Sequence, residues 1–128
     1  MEKIVGIQKA FASYGAKLVN RLWAVSAPID GAMVLSLWFH KFKYGMVYED
    51  RLSRWSGLGN NLFREHLQQI VDGKLPIRLV IATSTDPAAV DRGEDASKIR
   101  STYGVRPDLV GEVEHFDGDT FRLRFRLI

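Results

Sequence analysis

The chain has 128 residues, 46% of them hydrophobic and 26% charged, with a net charge of +3. That is enough chain for one domain with a real core, and the composition is that of an ordinary globular protein. There is no cysteine, which excludes a disulfide framework and a thiolate zinc site, and no apolar run approaches the roughly 20 residues of a membrane span.

The charge is unevenly placed. Residues 1–64 hold nine Lys/Arg against four Asp/Glu, while residues 65–128 hold nine against eleven. A basic half points to an anionic partner such as nucleic acid, although a small positive balance also serves solubility alone. The start, Met1-Glu2-Lys3-Ile4, lacks the regions of a signal peptide, so a cytoplasmic location is expected.

In chain order, Ile4, Ile7, Phe11 and Tyr14 fall close to a helical stripe, which predicts a helix over 2–14 with Gly15 as its stop. Residues 17–27 and 33–42 read as a strand pair joined by the turn cluster Pro28-Ile29-Asp30-Gly31. Val34 to His40 is nearly all apolar and bulky. It is the central strand, covered on both faces. Residues 43–59 show no period apart from a short strand at Met46-Val47-Tyr48, and are rich in Gly, aromatics and Arg. Long loops in compact domains are functional or disordered, and aromatic content argues against disorder.

A helix is predicted from Asn60 to Asp72, capped by Asn60 or Asn61, with a stripe of Leu62, Phe63, Leu67, Ile70 and Val71 and His66 at its edge. Gly73 is the expected left-handed stop and Pro76 prevents resumption. Residues 77–82 form a strand. Residues 84–108 read as a polar, mobile surface excursion with a helical turn near 96–100. The C-terminus is a hairpin. Only an odd loop puts Arg opposite Glu, so a three-residue loop at Asp117-Gly118-Asp119 pairs Glu114 with Arg122, Val113 with Leu123 and Glu112 with Arg124. The expected fold class is therefore α+β: a single domain over 1–128, with a curved, mainly antiparallel sheet or β-barrel and two flanking helices.

The candidate site is aromatic and basic. Nucleic-acid sites need flat faces for bases, cations for phosphate and amides for base edges. Trp23, Trp38, Tyr48 and Trp55 supply the faces; Arg51, Arg54 and Arg64 the cations; Asn20, Ser26 and Asn60 the hydrogen bonds. Trp23 and Trp38 also suit an ordinary sheet core, whereas Trp55 sits among polar loop residues. The stripe Arg122, Arg124, Arg126 suits a solvated ladder with the glutamates better than a phosphate track. His40, His66 and His115 lack metal-ligand spacing, and no cofactor is expected. Asp108, Glu112 and Glu114 could belong to a small metal-dependent nuclease, but the strand carries no lysine, and Arg stays protonated.

The stretch Tyr14 to Ala27, with its Asn20-x-x-Trp23-x-x-Ser26 pattern, followed by Val34-Leu35-Ser36-Leu37-Trp38, resembles domains of modification-dependent restriction endonucleases. The element order is similar to that of PUA-like β-barrels, the superfamily of the EVE, ASCH and SRA modified-base readers. The resemblance implies a pocket between barrel strands that takes a flipped base on an aromatic wall. No HNH nuclease follows, so cleavage is not implied, and the glutamates of the terminal hairpin make that face poor at meeting DNA. The expectation is a non-enzymatic nucleic-acid-binding domain reading a modified or flipped base, with DNA favoured over RNA. The alternative is a phage-type inhibitor or protein-interaction module that binds a nucleic-acid enzyme.

Overall fold

The computed structural model describes residues 6–95 and 99–128. The elements run α1 (Ile7–Ala12), β1 (Ser26–Ile29), β2 (Ala32–Trp38), β3 (Phe42–Lys43), β4 (Val47–Arg51), α2 (Leu58–Gly73), β5 (Ile77–Ser84), α3 (Pro87–Asp91), β6 (Ser101–Val105), β7 (Leu109–Phe116) and β8 (Thr120–Leu127). The strands form one mixed sheet in the order β1-β2-β5-β7-β8-β4-β3, with β6 also paired to β5. Along this path β1 and β3 are ends that do not pair with each other, so the sheet is open. The expected α+β class holds, but β2 and β5 run parallel, joined by a crossover that contains β3, β4 and α2.

β2 is buried on both faces, as its apolar run requires. Met33, Leu35 and Leu37 point into a core with Phe63, Leu67 and Ile70 of α2 and with Leu123 and Phe125 of β8. Val34 points the other way, into a second cluster with Phe11 of α1, Leu18 and Val80. Each such full burial contributes about 1.5–3 kcal/mol.

Several expected elements differ. Of the strand expected before β2, only Ser26 and Ala27 are in β1 (Ser26–Ile29), which pairs with β2; residues 17–25 are not a strand. Asn20 explains why: its Oδ1 accepts the Leu22 N–H at 2.8 Å and its carbonyl accepts the Ala24 N–H at 3.0 Å. Asn competes for the backbone in this way and favours turns. Pro28 lies inside β1 and is tolerated because β1 is an edge strand. Residues 43–59 are not one irregular loop: β4 pairs fully with β8, and a short helical turn, Leu52–Arg54, leads to α2.

Helix α2 begins at Leu58, earlier than expected, and no side chain caps it. Asn60 lies within the first turn and donates from Nδ2 to the carbonyls of Leu52 and Trp55, at 2.8 and 3.1 Å. At the other end Lys74, not Gly73, takes the left-handed conformation, with φ 51°. The excursion 84–108 holds α3, capped by Asp86, and strand β6 paired with β5. The helical turn expected at 96–100 falls largely outside the described residues.

In the terminal hairpin Val113 pairs with Leu123 and Glu112 with Arg124, as parity requires. Nearer the loop a bulge at Glu114 shifts the register, so His115 pairs with Arg122 and Phe116 with Phe121. Asp117 to Asp119 lie between the strands, but four residues separate the closing pair Phe116 and Phe121, and Asp117 shapes this turn by accepting the N–H groups of Asp119 and Thr120 at 2.9 and 2.8 Å. The bulge restores the alternation. Glu114 still meets Arg122 Nε at 3.2 Å and Arg124 Nε at 2.6 Å.

One buried polar pair ties α2 to β1. Ser26 Oγ and His66 Nδ1 lie 2.6 Å apart, and both residues are buried. Burial holds the His66 pKa below its ordinary value, against a smaller upward pull from Glu65. The unfolded chain therefore takes up the proton first, so stability is full above the unfolded pKa of about 6.5 and falls as pH drops below it. Thermal melts between about pH 7.5 and pH 5 should show that loss, and H66Q should shrink it.

Candidate functional site

A cavity of about 580 Å³ opens where β2, β4 and β6 meet the first turn of α2. Trp23, Trp38 and Trp55 all line it, together with Tyr48, Tyr103 and the Asp50–Arg54 pair. Its size falls in the range of small-molecule and cofactor sites. The chain has three tryptophans, and each comes from a different segment: Trp23 from the turn before β1, Trp38 from the end of β2, Trp55 from the approach to α2.

Close backbone packing brings these segments together. A Cβ on Gly59 would collide with the Trp23 carbonyl oxygen, so glycine lets the Trp23 segment lie on the first turn of α2. A Cβ on Gly93 would collide with the Arg54 carbonyl, and Gly93 has φ +78°. Both glycines line the cavity. G59A should therefore destabilise the protein by about 1–3 kcal/mol in denaturant unfolding. Helix propensity alone favours Ala over Gly by up to about 1 kcal/mol, the opposite sign.

The polar wall is one ion pair and its extensions. Arg54 donates to Asp50 through Nε at 2.9 and 3.0 Å and through Nη2 at 2.7 Å, and a further Arg54 N–H reaches the Val90 carbonyl of α3. Both side chains are largely buried, at 12% and 4% exposure. Burial works against the Arg54 charge, but the hydrogen bonds and charge of Asp50 outweigh it, and the guanidinium pKa lies above its ordinary value. Lys41 Nζ lies 3.8 Å from Asp50 and 3.6 Å from Asp91, which also meets His40 Nε2 at 2.9 Å. These contacts fasten α3 as one side of the cavity. Burial raises the Tyr48 and Tyr103 pKa values, so both hydroxyls stay neutral.

Trp55 packs edge-on against Phe63, ring centroids 5.9 Å apart at 66°. Its Nε1 is buried and has no hydrogen-bond partner among the described residues. Trp38 lies 6.4 Å from the His40 ring.

Of the sequence candidates, Trp23, Trp38, Tyr48, Arg54 and Trp55 meet at this cavity. Asn20, Ser26, Arg51, Asn60 and Arg64 are not in its lining. Asn20, Ser26 and Asn60 hold the backbone or His66, as described. Arg64 donates to the Gly118 carbonyl at 2.8 Å, and both Arg51 and Arg64 are exposed. Asp50, Tyr103, Gly59 and Gly93 were not foreseen. Spacing offered one signal, since Asp50 and Arg54 stand four apart with Trp55 next. Of the carboxylates weighed for a nuclease, Asp108 is engaged by Arg106 and Glu114 by Arg122 and Arg124. No helix among the described residues is long and apolar enough to cross a membrane. No family model, curated protein or solved structure matches the chain significantly.

Proposed function

We propose that the chain is a nucleic-acid-binding domain whose cavity receives an extruded, modified base, in the manner of the PUA-like readers it resembles in sequence order. The observation that carries this reading is the convergence of every tryptophan of the chain on one cavity. An extruded base is read by stacking between aromatic side chains and by hydrogen bonds to its edge. The neutral hydroxyl of Tyr103 and the side chains of Ser36 and Ser101, all in the lining, offer such bonds.

Phosphate contact falls to exposed cations. Arg54 is committed to Asp50 and Val90, so the exposed Arg21, Arg51 and Arg64 are the better candidates. The test is a titration of labelled DNA oligonucleotides, with and without a methylated cytosine or adenine, at two salt concentrations. The reading expects a modified oligonucleotide to bind tighter than its unmodified twin, with both weakening as salt rises. Equal binding of all of them removes the base-reading claim, and no binding removes the nucleic-acid claim.

A further inference from the structure

The cavity runs against the charge of the chain around it. The chain has a net charge of +3. Among the described residues, however, the lining holds three carboxylates, Asp50, Glu94 and Asp95, against two cations, Arg21 and Arg54. Arg54 is not a free cation there, because Asp50 takes its guanidinium through Nε and Nη2 and leaves a buried, neutral pair. Arg21 is exposed, on the turn before β1. Glu94 and Asp95 are also exposed and lie just past the end of α3. Glu94 meets Arg92, which is not in the lining, through Nε at 2.8 Å. That pair is exposed on both sides, so solvent screens it and it holds the carboxylate weakly. The faces of the lining are aromatic: Trp23, Trp38, Trp55 and Tyr103 are each partly exposed and all belong to it.

We infer that the base this cavity takes is a cation: a nucleobase alkylated on a ring nitrogen, such as 3-methylcytosine, in preference to a neutral base methylated on carbon. This charge preference rests on the base-reading function above and names its substrate class. A methyl group on cytosine N3 takes up the lone pair of that nitrogen, so the ring is positive at neutral pH. The same methyl on C5 leaves the ring neutral. The two bases are isomers of similar size, and charge is what sets them apart. A neutral base gains only stacking from an aromatic wall. A cation also gains the attraction of the ring quadrupole, which is strongest for tryptophan. Taking a cation out of water is costly unless opposite charge or such faces meet it. Here the indole faces meet it, and Glu94 and Asp95 add a field of the right sign. A wall of free arginines would favour an anion instead, but the buried guanidinium is already neutralised by Asp50. Arg21 is left for a phosphate of the same strand.

The test titrates the parent and the double variant E94Q/D95N with labelled single strands of one DNA sequence. At one position the strands hold cytosine, 5-methylcytosine, 3-methylcytosine or 3-methylthymine. Single strands remove base pairing, which a methyl on N3 would block. 3-Methylthymine carries its methyl on the same ring atom but is neutral, so it separates charge from shape. All the strands carry the same phosphates, so the ratio of their affinities reports the base. The parent should bind the 3-methylcytosine strand tenfold or more tighter than either neutral methylated strand. The double variant should cut this ratio severalfold. The ratio is the readout because losing two negative charges favours any polyanion. Exposed substitutions of this kind cost little stability, and melts of the two proteins check this. The charge preference is overturned if 5-methylcytosine or 3-methylthymine binds as tightly as 3-methylcytosine, or if the double variant keeps the full ratio. Base reading then stands as long as one modified strand binds tighter than the cytosine strand. Equal binding of all the strands, or binding of none, overturns both.

Discussion

Replacing Asp50 by alanine is expected to lower stability by about 3–5 kcal/mol, because it strands a buried cation. Arg54 is 12% exposed and draws most of its hydrogen bonds from Asp50. Without Asp50 only the Val90 carbonyl remains as its described partner. A buried pair made well is not by itself strong evidence of stabilisation, but breaking one side of it is strongly destabilising. Small domains have only about 5–15 kcal/mol in total, so the variant should unfold at far lower denaturant than the parent. Removing both charges together in D50A/R54M should return part of the loss, since it leaves no unpaired ion. Equilibrium urea unfolding of the three proteins decides the matter. A D50A midpoint near that of the parent would show that the pair does not hold α3 to the cavity.

Trp55→Ala should weaken binding of a modified oligonucleotide by tenfold or more. An aromatic face contributes roughly 1–3 kcal/mol per stacked base, and 1.4 kcal/mol is a factor of ten. The same change also affects stability, because Trp55 packs on Phe63 and the core and is not a free loop residue. Part of the roughly 3–5 kcal/mol of a fully buried aromatic truncation should appear in melts. Trp55→Phe separates the two effects. It keeps a stacking face, and the Trp55 Nε1 that it removes has no hydrogen-bond partner among the described residues. W55F should therefore bind much more like the parent than W55A does. Titrations of both variants below their melting range provide the check. If W55A binds like the parent while folded, Trp55 does not touch the occupant.

The parts of the fold legible in sequence are those that local pattern dictates. The stripe of α2 and the alternation of β7 and β8 appear where the residues put them, and so does the apolar run of β2, except that the strand ends at Trp38 and Phe39–Lys41 is a short helical turn. What was not legible depends on long-range contact. Residues 17–25 look β-prone, but one asparagine turns them. Asn60 has the chemistry of a cap, yet its amide is drawn to Leu52 and Trp55, which the fold places beside it. The bulge at Glu114 follows from the loop that Asp117 builds, not from the strand pattern. In the candidate site the aromatics were legible as a group because aromatic and basic residues cluster in sequence. The two close-packed glycines, Gly59 and Gly93, were not, since the reason for Gly59 is the carbonyl of Trp23, far away in the chain. Arg54 was read as a free cation because nothing in sequence showed how deeply Asp50 would be buried with it.

The central claim is that a nucleobase enters the cavity shared by Trp23, Trp38 and Trp55. Since these are all the tryptophans of the chain, intrinsic tryptophan emission reports on that cavity alone. The direct measurement is therefore tryptophan fluorescence during titration with DNA that carries one methylated base, with binding followed in parallel by anisotropy of a label on the DNA. The account predicts saturable quenching or a shift of the emission that follows the anisotropy curve, and a much smaller change with a strand in which the modified base is replaced by an abasic site. Binding seen by anisotropy with no change in tryptophan emission would place the nucleic acid elsewhere on the protein and contradict the claim.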